Sequence, residues 1–107
     1  MIVTTTPTIE GKHISQYLGV VSGVDRYLVG GLLGEGFFKV DELVYESYKK
    51  AEEKMIQKAL ALGADAIIGL QYSPFSWDGD RRVDMMVTLM GTAVKTVDEA
   101  FDALPEL

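Results

Sequence analysis

The 107-residue chain contains no cysteine, and this absence removes several kinds of chemistry together. Without a thiol there is no disulfide, no thiolate metal ligand, no haem attachment through cysteine and no cysteine nucleophile. Histidine is nearly absent as well, since His13 is the single imidazole of the chain. A chain without disulfides fits a reducing compartment, and we therefore expect a cytoplasmic protein.

The chain also lacks an excess of basic residues. Ten Lys and Arg stand against sixteen Asp and Glu, which gives a formal net charge of −6. A nucleic-acid-binding surface must neutralise phosphates, so this charge balance argues against a nucleic-acid partner. No segment approaches the roughly 18 consecutive apolar residues of a membrane span, and no basic segment precedes an apolar one near Met1. We expect neither a membrane contact nor a signal peptide.

Hydrophobic residues make up 48% of the sequence, and the length predicts a single domain over residues 1–107. A charged amphipathic segment in the middle predicts one long helix. Asp41 suits its N-cap, and Gly63 suits its end because glycine adopts the left-handed conformation that closes a helix. Apolar residues recur at spacings of three and four, which places on one stripe Val44, Tyr48, Ala51, Met55, Ala59 and Leu62.

Segments rich in apolar and β-branched residues predict four strands, over residues 2–5, 13–24, 66–72 and 83–94. We expect the first two to form a hairpin, and the last two to be joined by a turn at residues 77–80. Gly19 and Gly23 interrupt the second strand, and glycines within strands mark bulges or close approaches of another backbone. A weaker pattern over residues 97–104 predicts a short C-terminal helix. The order β-β-α-β-β predicts an α+β fold in which one long helix packs on one face of an antiparallel sheet of about four strands.

Both faces of this predicted sheet carry apolar side chains. In the last strand Leu89 lies on one side, and Met86 and Met90 lie on the other. In the third strand, strict alternation places Ile67 on one face of the sheet and Ile68, Leu70 and Tyr72 on the other. One helix covers only one face, and large apolar patches are rare on soluble monomers. We therefore expect a homo-oligomer, unless the C-terminal helix folds back over the second face.

Parts of the sequence resemble the YbjQ-like family of small uncharacterised bacterial proteins. The segments that carry the resemblance are residues 2–12, 17–23, 62–69, 86–87 and 91–94. The resemblance implies a dodecin-like subunit assembled into a ring, commonly a pentamer, and it implies heavy-metal binding. Soft metal ions prefer thiolate and imidazole ligands, and this chain offers no thiolate and one imidazole. The sequence does not identify a cofactor, and the candidate is a divalent transition metal.

His13 is the candidate metal ligand, together with nearby Glu10. In a ring, one His13 from each subunit could converge on the axis and build a site with several ligands. This interpretation predicts that zinc or nickel binds at His13 and Glu10. The protein would then bind a metal ion or a small molecule at its subunit interfaces, or serve as a scaffold, without catalysis. The alternative is an enzyme whose active site lies between subunits near His13, Glu10 and Tyr17.

Overall fold

The computed structural model describes three parts of the chain, residues 1–29, 40–79 and 82–99. Within them a single long helix packs across one face of a four-stranded sheet. The elements in chain order are β1 (Ile2–Val3), β2 (Lys12–Val29), α1 (Val40–Ala61), β3 (Ala66–Gly79) and β4 (Arg82–Asp98). The predicted α+β class and the β-β-α-β-β order are confirmed. No helix of the described parts is long and apolar enough to cross a bilayer.

The strands are ordered β1-β3-β4-β2 across the sheet. The long strands β2, β4 and β3 are antiparallel neighbours, whereas β1 runs parallel to β3. The predicted hairpin between the first two strands is therefore wrong, because β1 and β2 lie at opposite edges of the sheet. The sheet is mixed instead of purely antiparallel, because β1 is parallel to its neighbour. The backbone after β1 stays bound to β3: Thr4 donates to the Ile67 carbonyl, and Leu70 donates to the Thr4 carbonyl. These bonds hold the segment away from β2.

Helix α1 buries the middle of the predicted stripe. Ala51, Met55 and Ala59 have no exposed surface and pack against the sheet. Leu62 is exposed, because the helix ends one residue earlier and the chain then turns away. Gly63 has φ of +83°, and the Ala64 amide donates to the Ala59 carbonyl at 3.0 Å, which closes the helix as the sequence predicts.

Three β-bulges interrupt the strand pairing and change which side chains face the helix. An extra residue lies between Ile68 and Gln71, where Gly69 has φ of +63°. Leu70 therefore packs on the helix side with Ile67, and the predicted grouping of Leu70 with Ile68 is wrong. Gly19 lies at a second bulge, in agreement with the interpretation of that glycine as a bulge.

Two predicted features fall partly outside the described residues. Strand β4 continues to Asp98, so the first residues of the predicted C-terminal helix are strand instead. Residues 100–104 of that helix lie outside the described chain. Strand β3 continues to Gly79, which pairs with Arg82. The predicted turn at residues 77–80 is thus strand as far as Gly79, and Asp80 lies outside the described residues.

A buried polar contact anchors α1 to β2. The Ser47 hydroxyl, which is 3% exposed, donates to Asp25 Oδ2 at 2.8 Å. Lys54 lies 3.5 Å from Asp25 Oδ1, and its ammonium also donates to the Val24 carbonyl at 2.9 Å. Ser47 and Asp25 therefore form a polar pair between α1 and β2, next to a helix stripe for which the sequence predicts only apolar residues.

Ser47→Ala is expected to lower the free energy of unfolding by about 1–2 kcal/mol, because a hydrogen bond to a charged acceptor is lost. Tyr27→Phe is the matched control, since the buried Tyr27 hydroxyl has no hydrogen-bond partner and its removal is expected to be close to neutral. Urea unfolding of both variants measures the difference. Equal losses of stability would contradict the role assigned to the Ser47 hydrogen bond.

The face of the sheet opposite α1 is here called the outer face. It carries large apolar side chains, of which Val20 is 69% exposed and Phe75 58% exposed. Its exposed and half-buried apolar residues include Val20, Val24, Leu28, Phe75, Met86 and Met90. Elsewhere on this face Ala66, Ile68 and Val94 are buried, and Ile9 and Ile14 pack against them. The radius of gyration is 18.3 Å, against about 13 Å for a compact domain of roughly 100 residues. The subunit is therefore elongated, and one broad face of it is not covered by α1.

Candidate metal site

The residues predicted for the site meet at one end of the sheet, where β2 begins and β4 ends. Glu10, His13 and Tyr17 line the same cleft, which has a volume of about 470 Å³. Glu99 lines it as well, and its Oε1 lies 3.9 Å from His13 Nδ1. Both of these side chains are about half exposed, so the cleft is open to solvent and to a neighbouring molecule.

Strand pairing explains why Glu99 lies beside His13. The backbones of Lys12 and Asp98 are paired, and the Lys12 ammonium also donates to Asp98 Oδ1 at 2.9 Å. One residue further on, the Glu99 amide donates to the Gly11 carbonyl at 2.9 Å. These contacts fix the end of β4 against the start of β2. They place a carboxylate next to the imidazole that lies far from it in sequence.

Lys12 does not compete as a ligand. The hydrogen bond to Asp98 and the charge of Asp98 raise the pKa of Lys12. Burial opposes them with a smaller effect, and the more distant charge of Asp65 adds the smallest increase in the pKa. An ammonium with a raised pKa stays protonated at neutral pH and has no lone pair to donate to a metal. The metal-binding atoms that the cleft offers are therefore one imidazole and carboxylates.

A neighbouring acidic side chain, Asp65, has its carboxylate engaged elsewhere. Its two oxygens accept from the Thr96 amide, each at 3.1 Å, and one of them also accepts from the Thr96 hydroxyl. This contact ties the start of β3 to β4. Asp65 lines a separate cleft of about 360 Å³ with Lys12 and Asp98.

The donor set of the cleft suits some metal ions better than others. Imidazole and carboxylate bind zinc, nickel and similar divalent ions, whereas the softest ions select thiolates, and the chain has none. A carboxylate that accepts a hydrogen bond from the Nδ1 atom orients a metal-bound imidazole. Glu99 is the carboxylate placed to do so, although at 3.9 Å it lies beyond hydrogen-bond distance of His13. Among the described residues of a single chain, no group of three or more His, Asp or Glu side chains is arranged around one point. The residues fit a divalent transition metal whose remaining ligands come from another molecule or from water.

The sequence pattern predicts that the last strand ends near Val94 and that a helix begins at Val97. Glu99 was therefore not expected beside the second strand. The signal that could have found it is the length of β2. An edge strand of 18 residues that pairs with β4 along its whole length requires β4 to be about as long. Residues 97–99 then come opposite the start of β2.

A family model described as "Putative heavy-metal-binding" matches residues 26–97. The matched segment contains α1, β3 and most of β4, and it contains neither His13 nor Glu99. A UPF0145 protein of Anoxybacillus flavithermus is 37% identical over 105 residues, covering 89% of this chain and 97% of that protein. A UPF0145 protein of Pasteurella multocida is 35% identical over 106 residues, covering 88% of this chain and 97% of that protein.

A similar fold is present in a crystal structure from Pediococcus pentosaceus. The protein, of unknown function, is described as a member of the DUF74 family. The TM-score is 0.70 at 22% sequence identity, covering 91% of this chain and 98% of that one. This similarity concerns the fold.

Proposed function

We propose that this chain, which belongs to the YbjQ-like family, is a self-associating protein that binds a divalent transition-metal ion through His13 and the carboxylates beside it. The observation that carries the proposal is the 3.9 Å separation between His13 Nδ1 and Glu99 Oε1, in a cleft that Glu10 also lines. The description of the family as heavy-metal-binding supports metal binding in general, whereas the matched residues 26–97 do not include His13 or Glu99. Zinc and nickel are the ions that the donor atoms favour.

Self-association supplies what one subunit lacks. A stable transition-metal site in a protein has three or four protein ligands, and the described part of one chain brings fewer than that to any one point. In a ring, for which we favour a pentamer, symmetry would repeat His13 and Glu99 around the axis. The metal would then be shared between copies, at one ion per ring.

His13→Ala is expected to abolish zinc binding, because it removes the single imidazole of the chain. Glu99→Gln is expected to weaken zinc binding about 10- to 100-fold, the usual cost of removing a carboxylate that orients a metal-bound histidine. The measurement is zinc content by elemental analysis after loading and dialysis, together with zinc titration calorimetry.

Gln16→Ala is the control for these variants. Gln16 is exposed on β2 close to His13 and does not line the cleft, so its removal should leave zinc content unchanged. Native mass spectrometry of the same samples gives the number of ions in each oligomer. Equal zinc content in wild type and His13→Ala would refute the proposed site, whatever the oligomeric state.

A further inference from the structure

Lys12 lines two clefts at the end of the sheet where β2 begins. It lines the candidate metal site with His13 and Glu99, and it lines the neighbouring cleft with Asp65 and Asp98. Its ammonium donates a hydrogen bond to Asp98 Oδ1 at 2.9 Å, and the charge of Asp65 acts on it as well. A site proposed to bind a cation therefore has a cation of the protein beside it.

A lysine next to a metal ion repels that ion, so its presence at this site calls for a compensating role. Pairing with the carboxylate of Asp98 offsets part of the repulsion, but it does not explain what the lysine contributes. The strand register indicates that the contribution is structural.

Lys12 and Asp98 form the terminal pair of β2 and β4. His13 follows Lys12 on β2, and Glu99 follows Asp98 directly after the end of β4. Beyond this pair, the Glu99 amide donates to the Gly11 carbonyl at 2.9 Å. The ion pair therefore closes the end of the sheet at the two positions next to the proposed ligands.

The ends of paired strands open more readily than their centres, because fewer contacts hold them together. An opening at the terminal pair would move His13 and Glu99 apart, and their side chains would then no longer reach one ion. The ion pair is partly exposed, and an ion pair of this kind adds little to the global stability of a protein. At the terminal pair of two strands it acts instead on the local opening that separates the ligands.

We infer that the ion pair between Lys12 and Asp98 positions His13 and Glu99 for metal binding by keeping the ends of β2 and β4 together. The inference rests on the proposed function and deepens it, since it names the contact that holds the two ligands in place. Lys12 and Asp98 are positioning residues, because they act through the backbone and not through a bond to the metal.

Lys12→Met tests this role by the direction of its effect on zinc binding. Removal of a nearby positive charge by itself would tighten the binding of a cation, whereas loss of positioning weakens it. We expect the zinc dissociation constant, measured by titration calorimetry, to rise about threefold to tenfold, between what an exposed ion pair contributes and what a lost outer-shell partner costs. Lys12→Arg keeps the ion pair, and it is expected to bind zinc as wild type does.

Asp98→Asn breaks the same ion pair from the other side. It should weaken zinc binding to a similar extent, and its combination with Lys12→Met should add little, because both changes remove one contact. Lys95→Met is the matched control, since Lys95 is also an exposed lysine near this end of the sheet and lines neither cleft. It should bind zinc at least as tightly as wild type. Urea unfolding verifies that each variant is folded.

The outcomes separate this inference from the proposed function. Zinc binding as tight in Lys12→Met as in wild type, or tighter, would refute the positioning role and leave the metal site at His13 standing. An affinity of Lys12→Arg no higher than that of Lys12→Met, or an equal loss in Lys95→Met, would refute the positioning role as well. A wild-type protein that binds no zinc would refute the proposed function together with the inference that rests on it.

Discussion

Gly23→Ala is expected to lower the free energy of unfolding by about 3 kcal/mol or more, at the upper end of what overpacking costs. A Cβ at this position would overlap the Ala51 carbonyl oxygen, and it would lie 2.9 Å from the Met55 backbone nitrogen. Both atoms belong to the backbone of α1, which cannot move without breaking its own hydrogen bonds or leaving β2. Small domains have roughly 5–15 kcal/mol of total stability, so one methyl group would remove a large part of it.

Gly91→Ala is the matched comparison for this prediction. Gly91 is also buried in a strand, but a Cβ there would meet the Ile67 Cγ2 atom at 2.5 Å and the Ile68 carbonyl at 3.1 Å. The first of these contacts is the end of a side chain that can rotate, so we expect a cost of about 1–2 kcal/mol. Urea unfolding curves of the two variants measure both values. A Gly23→Ala protein no less stable than Gly91→Ala would show that α1 does not sit as close to β2 as described.

Local patterns predicted the helix and the roles of Gly19, Gly23 and Gly63, because their causes are local. The predicted N-cap is wrong, since α1 begins at Val40 and Asp41 lies inside it. The spacing of Ala51, Met55 and Ala59 follows the helical period, and Gly63 ends the helix by its own backbone conformation. Gly23 was predicted to mark either a bulge or a close backbone approach, and it marks the second. The sequence shows only that the residue is glycine. The tertiary packing shows that the backbone of α1 lies where a side chain would be.

The strand pairing could not be predicted in the same way. Ile68-Gly69-Leu70 is apolar except for the glycine, so no polar residue reveals that the alternation shifts at a bulge. The short strand β1 contributes only two paired residues, and its position beside β3 depends on backbone bonds made by the segment that follows it. Pairing between distant segments is decided by the whole sheet, whereas hairpins are favoured by default because their strands are adjacent in sequence.

The candidate site divides along the same line. Glu10, His13 and Tyr17 are close in sequence, and the structure places all three in one cleft. Glu99 reaches that cleft only because β4 is longer than predicted and pairs with β2 to its end. The sequence therefore predicts Glu10, His13 and Tyr17, which are close together in the chain. The position of Glu99 depends on the register between β2 and β4, which the sequence does not reveal.

Met55→Ala is expected to lower the free energy of unfolding by about 3 kcal/mol, within the 2–5 kcal/mol that such truncations cost in cores. Met55 is fully buried between α1 and the sheet, in a cluster that includes Val21, Val87 and Leu89. The cavity left by its thioether cannot close easily, because the backbone of α1 already touches β2 at Gly23 and cannot approach further. Leu60→Ala, at an exposed position on the same helix, removes a similar side chain and should cost less than about 0.5 kcal/mol. Chemical denaturation of the two variants measures both losses of unfolding free energy. If Met55→Ala loses as little as Leu60→Ala, α1 is not held against the sheet through this cluster.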